Sequence, residues 1–294
     1  MLYYFEMKYT NFETPEFRRG NPGEHPVIVA ALEKARAMIH ENAINPSDFV
    51  NLYGSENVER DLKEVVSLKK RFDTNEASES TFKASEVFEA IVFEQVELSN
   101  WLGDHAETIR TSEFDDIVNG VDLVVEFTED SSTNHLALGV DVTFGTTSIG
   151  KKFDRIRKEI DADNLATVKY FESHGFKGSL RQLPRVVIGV ERDTVIALAG
   201  LWSRQEKKKL GNHFVKDIIM QEIERQLRTF LVYAQSNGAT AAVKSYTQAL
   251  GTIKNIRENT PIDTTSKDRQ DAISKDRVFQ EIKNQLITFH NTSR

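Results

Sequence analysis

The 294-residue chain contains no cysteine. That absence excludes a disulfide scaffold, a thiolate zinc site, an iron–sulfur cluster and a cysteine nucleophile, each of which needs a sulfur. Any metal must be held by oxygen or imidazole. Long hydrophobic runs are missing too: the best, at residues 195–202, falls well short of the roughly 20 residues that cross a bilayer, so no membrane partner is expected. The first residues, MLYYFEMKY, are aromatic with an early Glu6 and lack the basic-then-apolar layout of a secretory signal, which makes a cytoplasmic location the expectation. The seven histidines form no HExxH or HxH pair, and GxSxG and GxxxxGK[ST] are both absent. A zinc hydrolase, a serine-elbow hydrolase and a nucleotide-driven step are therefore unsupported. Positive charge is in the minority, 38 Lys+Arg against 45 Asp+Glu. The net charge of -7 disfavours a protein that coats nucleic acid non-specifically, while leaving room for a local basic surface.

What is present suffices for a core. Hydrophobic residues make up 39% of the chain, with 18 Phe, and the length permits one large domain or two small ones. Helices are expected at residues 26–41, where Pro26 suits the first helical position, and at 55–72. The polar stretch DTNEASEST (73–81) reads as a linker. A helix capped by Ser85 and ending near Gly103 would set Val87, Phe88, Ile91, Val92 and Gln95 on one face. Strands are expected at 117–128, 136–144 and 185–190, a helix from Ser148 to about Asp161, and a helix or strand at 194–202. Three further helices at 213–236, 239–257 and 276–289 complete the chain. The expected architecture is a helical N-terminal extension (1–80), an α/β core with a central mixed sheet flanked by helices (81–205) and a helical C-terminal region (206–294).

The chemistry resides in carboxylates. Asp122 follows Gly120-Val121 and precedes Leu123-Val124-Val125, and Asp141 sits in LGVDVTF. Aspartate is disfavoured in strands and costly to bury unless paired or bound to a cation, so two such placements in neighbouring strands invite one explanation. Alternation puts Asp122, Val124 and Glu126 on one face, and Asp141 with Thr143. Paired strands would then present Asp122, Asp141 and Glu126 as an all-oxygen site suited to Mg²⁺ or Mn²⁺ and a phosphate substrate. The alternative is structural: one aspartate caps a turn and the other pairs with a lysine or arginine.

This pattern resembles the PD-(D/E)xK nuclease superfamily: a helix with an acidic residue, a strand with Asp, a second strand with an acidic residue and a lysine two positions on, then a helix. Glu86, Glu89, Glu94 and Glu97 supply the helix, NGVD the first strand and Asp141 the second. The chain departs at the lysine position, which Thr143 occupies. The resemblance covers roughly residues 85–202 and implies a restriction-endonuclease-like core whose Asp122 and Asp141 hold Mg²⁺ (or Mn²⁺), with hydrolysis of DNA or RNA. Lys152, beside the apolar face of the following helix, is the candidate for the displaced lysine, while Lys151 points away. Glu94, at the edge of the apolar face, is the candidate helix carboxylate. Asp115 and Asp116 read as turn residues, Asp116 within reach of the metal. Thr143 could offer a hydrogen bond but no positive charge. Without a lysine in the pocket, the implied alternative is a catalytically inactive module with a binding or structural role.

Two basic runs are candidate phosphate contacts: Lys151, Arg155 and Lys158, and Lys207 and Lys208. Trp101 and Trp202 read as packing anchors. The apolar stripe from Phe214 to Leu231 must be buried against the core or against another subunit, which leaves room for a homo-oligomer through the C-terminal helices.

Overall fold

The computed structural model describes residues 25–72, 76–129, 132–141, 146–259 and 266–291, with only the backbone described at some of them, including 137–141 and 146–148. The fold is mixed α/β. Helix α1 (Pro26–Asn42) begins at its proline, and His25 caps it by accepting from the Val27 amide. A 3₁₀ turn (Pro46–Phe49) and the short α2 (Val50–Tyr53) lead into α3 (Ser55–Phe72). Helix α4 (Glu76–Leu98) begins inside the stretch expected to be a linker, so Ser85 lies within the helix and does not cap it. No proline or glycine stands between residues 73 and 102, and nothing there stops the helix from extending upstream. It ends before Gly103, where positive φ at Asn100 and Gly103 turns the chain.

Strand β1 (Ala106–Arg110) and the short α5 (Glu113–Ile117) follow, neither of them expected. Next come β2 (Leu123–Glu129), β3 (Ser132–Asp141) and α6 (Thr146–Asp161). A hairpin of β4 (Ala166–Ser173) and β5 (Phe176–Leu183) precedes β6 (Arg185–Gly189). The segment of undecided type is a helix, α7 (Arg192–Ser203). The C-terminal elements are α8 (Lys207–Gly211), α9 (Val215–Ser236), α10 (Thr240–Asn259), α11 (Lys267–Lys275) and α12 (Arg277–Asn291). No helix among the described residues is long and apolar enough to cross a membrane.

The main sheet has the order β1-β2-β3-β6, antiparallel except for the β3–β6 pair. Leu123 pairs with Leu138 and Asp141 with Gly189, so the start of β2 and the end of β3 lie at the same end of the sheet. One face, with Leu123, Val125 and Phe127, joins the large core built by α1, α4, α6, α7, α9, α10 and α12. The other face, with Val121 and Val124, packs on Ala166, Val168, Phe171 and Leu183 of the hairpin. Burial of both faces is what a sheet with near-continuous apolar runs requires. Ile218, Ile219, Ile223, Leu227 and Phe230 of α9 are buried within this same core. Lys169 of β4 is ringed by Tyr53, Phe114 and Tyr170 at 5.3 to 5.5 Å and pairs with Asp61, which fastens α2 and α3 to the hairpin.

Strand β6 lies at an edge of the sheet, and α9 covers it. Gln226 accepts from Val187 N at 2.8 Å and donates to Val187 O at 2.6 Å, while Glu222 accepts from Gly189 N at 3.0 Å. Two side chains one helical turn apart thus do what a further strand would do. Glu222 is fully buried, and burial holds its carboxyl pKa well above the usual range. A carboxyl whose folded pKa is raised stabilises the protein at low pH and loses that contribution as pH climbs above the unfolded value. Glu222→Gln is expected to add on the order of 1 kcal/mol near pH 8 and to change little near pH 4. Denaturant titrations across that range check it; a variant less stable than the parent at pH 8 would refute the raised carboxyl pKa.

Candidate functional site

Three acidic side chains meet where β1 ends and β2 begins: Glu89 of α4, Asp116 of α5 and Asp122 just before β2. Arg110, the last residue of β1, is 7% exposed and joins them. Its Nη1 lies 2.8 Å from Glu89 Oε1 and also donates to the Asp122 carbonyl, and its Nη2 donates to Asp116 Oδ2 at 2.9 Å. The contact with Glu89 is an ion pair without hydrogen-bond alignment. Among the described residues neither Glu89 Oε1 nor Arg110 Nε has a hydrogen-bond partner. Unpaired buried polar atoms are uncommon and ask for a reason.

The electrostatics follow from this crowding. Burial pushes the Glu89 carboxyl up to about 8; Arg110 opposes the rise, and the charges of Asp122, Asp116 and Glu86 add to it. Burial likewise raises Asp116 to about 7, helped by the charge of Asp122 and by a hydrogen bond between the two carboxyl groups. Burial works against the charge on Arg110, but Glu89, Asp116 and Asp122 together hold its proton on. Glu89 and Asp116 are both held above the usual carboxylate range because burial and the neighbouring carboxylates outweigh the one guanidinium beside them.

The loop that presents Asp122 is clamped by arginines. Arg185, at the start of β6, donates to Asn119 O at 2.7 Å and Gly120 O at 2.9 Å and pairs with Glu159 of α6 at 3.0 Å. Arg155 of α6 donates to Val118 O at 3.0 Å. Gly120 has φ +62°, which favours glycine, and a Cβ there would stand 2.6 Å from Arg155 Nη1, so the arginine tip would have to shift. Asp115, adjacent to Asp116, has a different task. It is fully buried and accepts from Lys169 N, Tyr170 N, Ser112 Oγ and Asn119 Nδ2 at 2.7 to 3.0 Å. Ser112 in turn caps α5 by accepting from Asp115 N, a reciprocal box that fixes the helix carrying Asp116.

Several expected site residues lie elsewhere. Asp122 precedes β2 because Ile117 ends α5 and Asn119-Gly120 forms the turn, which shortens the strand expected from residue 117. Glu126, expected as a metal ligand, bonds His135 Nε2 at 2.7 Å and lies ~13 Å along the strand from Asp122. Glu94, expected as the helix carboxylate, accepts from Trp202 Nε1 at 2.6 Å and Gln95 Nε2 at 2.8 Å, while Glu89 is the helix glutamate beside Arg110. Trp101 and Trp202 are buried packing residues. Asp115 and Asp116 belong to a helix where turn residues were expected. Asp141 ends β3 beside Gly189, and only its backbone is described; Thr143 lies outside the described residues. On α6, Lys152 is half-buried and Lys151 and Lys158 are exposed. Lys207 and Lys208 are exposed on α8, which packs at the C-terminal end of α4 with Leu210 O accepting from Trp101 Nε1. From Leu98 at that end back to Glu89 is ~14 Å of helix, so this basic run does not flank the carboxylates as expected.

A cleft of about 340 Å³ lined by Asn42, Asn45, Phe93, Thr108 and Glu172 reaches Arg110. Among the described residues no three His, Asp or Glu side chains form a ready metal site. Carboxylate oxygens are the donors a hard divalent cation takes, and here it is Arg110 that stands among them. Arg110 and Arg185 were not foreseen, and Arg155 was expected only as a phosphate contact and Glu89 only as one of four helix glutamates, for their roles here depend on β1 and on a loop that bends back over three elements. No protein-family model matches the chain, and none of the curated proteins or solved structures compared with it is a match.

Proposed function

We propose that the chain is a Mg²⁺- or Mn²⁺-dependent nuclease of the PD-(D/E)xK type that hydrolyses phosphodiester bonds of DNA or RNA. The observation that carries this reading is the convergence of Glu89, Asp116 and Asp122 at one end of the sheet, with a buried Glu89 oxygen left without a hydrogen bond. The succession the resemblance asks for runs through α4 with Glu89, β2 with Asp122 at its start, β3 with Asp141 at its end, and α6 with Lys152. A divalent ion held by Glu89, Asp122 and Asp141 would polarise a phosphate and acidify a bound water. Lys152 is the cation proposed to neutralise charge on the phosphate, and Lys151 and Lys158 on the same helix are proposed phosphate contacts.

A second reading, an inactive binding module, draws on Arg110: a guanidinium already stands among the carboxylates, and Thr143 occupies the lysine position. Cleavage of supercoiled plasmid and of single-stranded DNA and RNA with Mg²⁺ or Mn²⁺ separates the two. The nuclease reading expects metal-dependent cleavage by the parent that is lost in Asp122→Asn and strongly reduced in Lys152→Ala. Equal cleavage by all three proteins would mean a contaminant and sink the reading. No cleavage by the parent with either ion would leave the binding module.

A further inference from the structure

Helix α3 is held to the molecule along one side. Val58 and Val65 are buried with Phe49, Phe114 and Tyr170, and Asp61, between them, pairs with Lys169 and accepts from Tyr170 Oη at 2.7 Å. Lys69 reaches back to Glu113 of α5. Further round the helix runs a second row that faces solvent. Glu59, Leu62, Val66 and Lys70 follow one another at spacings of three, four and four residues, which sets them in line along the axis, and all four are exposed, Val66 by 53%. A lone exposed apolar residue is ordinary. Here two adjoin, one turn apart, with an acid at one end of the row and a base at the other.

We propose that this row is a two-fold interface on which a second copy of the chain docks, the two α3 helices antiparallel. The order acid, apolar, apolar, base is its own complement when reversed. Leu62 of each copy meets Val66 of the other, and Glu59 of each meets Lys70 of the other, around an axis that passes near Glu64. A parallel pairing would set Glu59 on Glu59 and Lys70 on Lys70, and like charges in register disfavour it. Lys63 lies 3.6 Å from Glu59 within the same helix, but both side chains are largely exposed, and such a pair leaves the carboxylate open to a second cation. The apolar stripe of α9, where the sequence left room for self-association, is buried in the core, whereas the row on α3 is not.

Sedimentation equilibrium of the full chain at low salt, from about 1 µM to about 1 mM, tests this. The row covers only ~17 Å of helix, short of a standard interface, so the parent is expected to dimerise weakly, with a dissociation constant on the order of 100 µM. Glu59→Lys and Lys70→Glu, each alone, set two like-charge pairs across the axis and are expected to weaken the dimer about tenfold or more. An equimolar mixture of the two variants restores both attractive pairs and is expected to dimerise within about threefold of the parent, a rescue that neither misfolding nor a contact on another surface would give. Unchanged far-ultraviolet circular dichroism confirms that both variants fold. A parent that stays monomeric throughout the range overturns the proposal. Undiminished dimerisation in either single variant overturns it too, by putting the contact elsewhere, and a mixture that stays monomeric overturns the antiparallel register on which it stands.

Discussion

Asp115→Ala is expected to cost about 3–5 kcal/mol, whereas Asp116→Asn, one residue along, is expected to stabilise the metal-free protein by about 1 kcal/mol. The two acids share a short helix and little else. Asp115 accepts four hydrogen bonds, two from the backbone of β4, and its removal strands buried donors. Asp116 faces Asp122, and its pKa rises from 3.8 to about 7. Between those values the folded chain holds a proton that the unfolded chain has released, so stability falls as pH rises through that window. Asparagine has no such proton and still offers Arg110 an acceptor. Urea denaturation at pH 5 and pH 8, in chelator, measures both. A destabilised Asp116→Asn at pH 8 would show that this carboxylate is anchored by Arg110 more than it is strained by Asp122.

In the proposed nuclease, Glu89→Gln is expected to reduce metal-dependent cleavage about a hundredfold or more, and Glu94→Gln to leave it within about twofold. The two glutamates lie on one helix, five residues apart, and differ in what surrounds them. Glu89 sits against Arg110 and feels the charges of Asp122 and Asp116. Glu94 serves Trp202 and Lys34, and a glutamine there keeps an acceptor for the indole N–H. Initial rates at fixed Mg²⁺, with thermal melts to show that both variants fold, compare them. Comparable losses in the two would remove Glu89 from the site.

The same helix shows how far the sequence could be read. Helical spacing located Val87, Phe88, Ile91 and Val92 correctly as buried. It pointed to Glu94, whereas Glu89 is the glutamate that stands beside Arg110, because α4 is enclosed on most of its circumference, Ala84, Ala90 and Val96 included, and the edge of an apolar stripe then says little about where a polar group points. Strands β2, β3 and β6 were legible as Val- and Leu-rich runs. β1 was not: its inward residues are Ala106, Thr108 and Arg110, and the last two are buried through hydrogen bonds and ion pairs that leave no apolar alternation. The β4–β5 hairpin did leave a signal, alternation at Ala166, Val168 and Tyr170 and a His174-Gly175 turn, although charged Lys169 and Glu172 break its profile. Asp122 and the return of β3 to the same end of the sheet were within reach of the sequence. Arg110, Arg155 and Arg185 were not, since each acts on backbone carbonyls distant in the chain.

The seal that α9 sets over β6 bears on how the polypeptide behaves when cut. A chain ending before α9 would keep the apolar residues Val186, Val187 and Ile188 but lose the amide and carboxyl groups of Gln226 and Glu222 that occupy the outer ladder. The freed ladder is short, with apolar residues from Val186 to Ile188 and a single charge at Arg185, a template on which another copy can add a strand. Truncation at that point is therefore expected to yield self-association into β-rich aggregates, with α9 and the helices after it acting as the covalently attached guard against it.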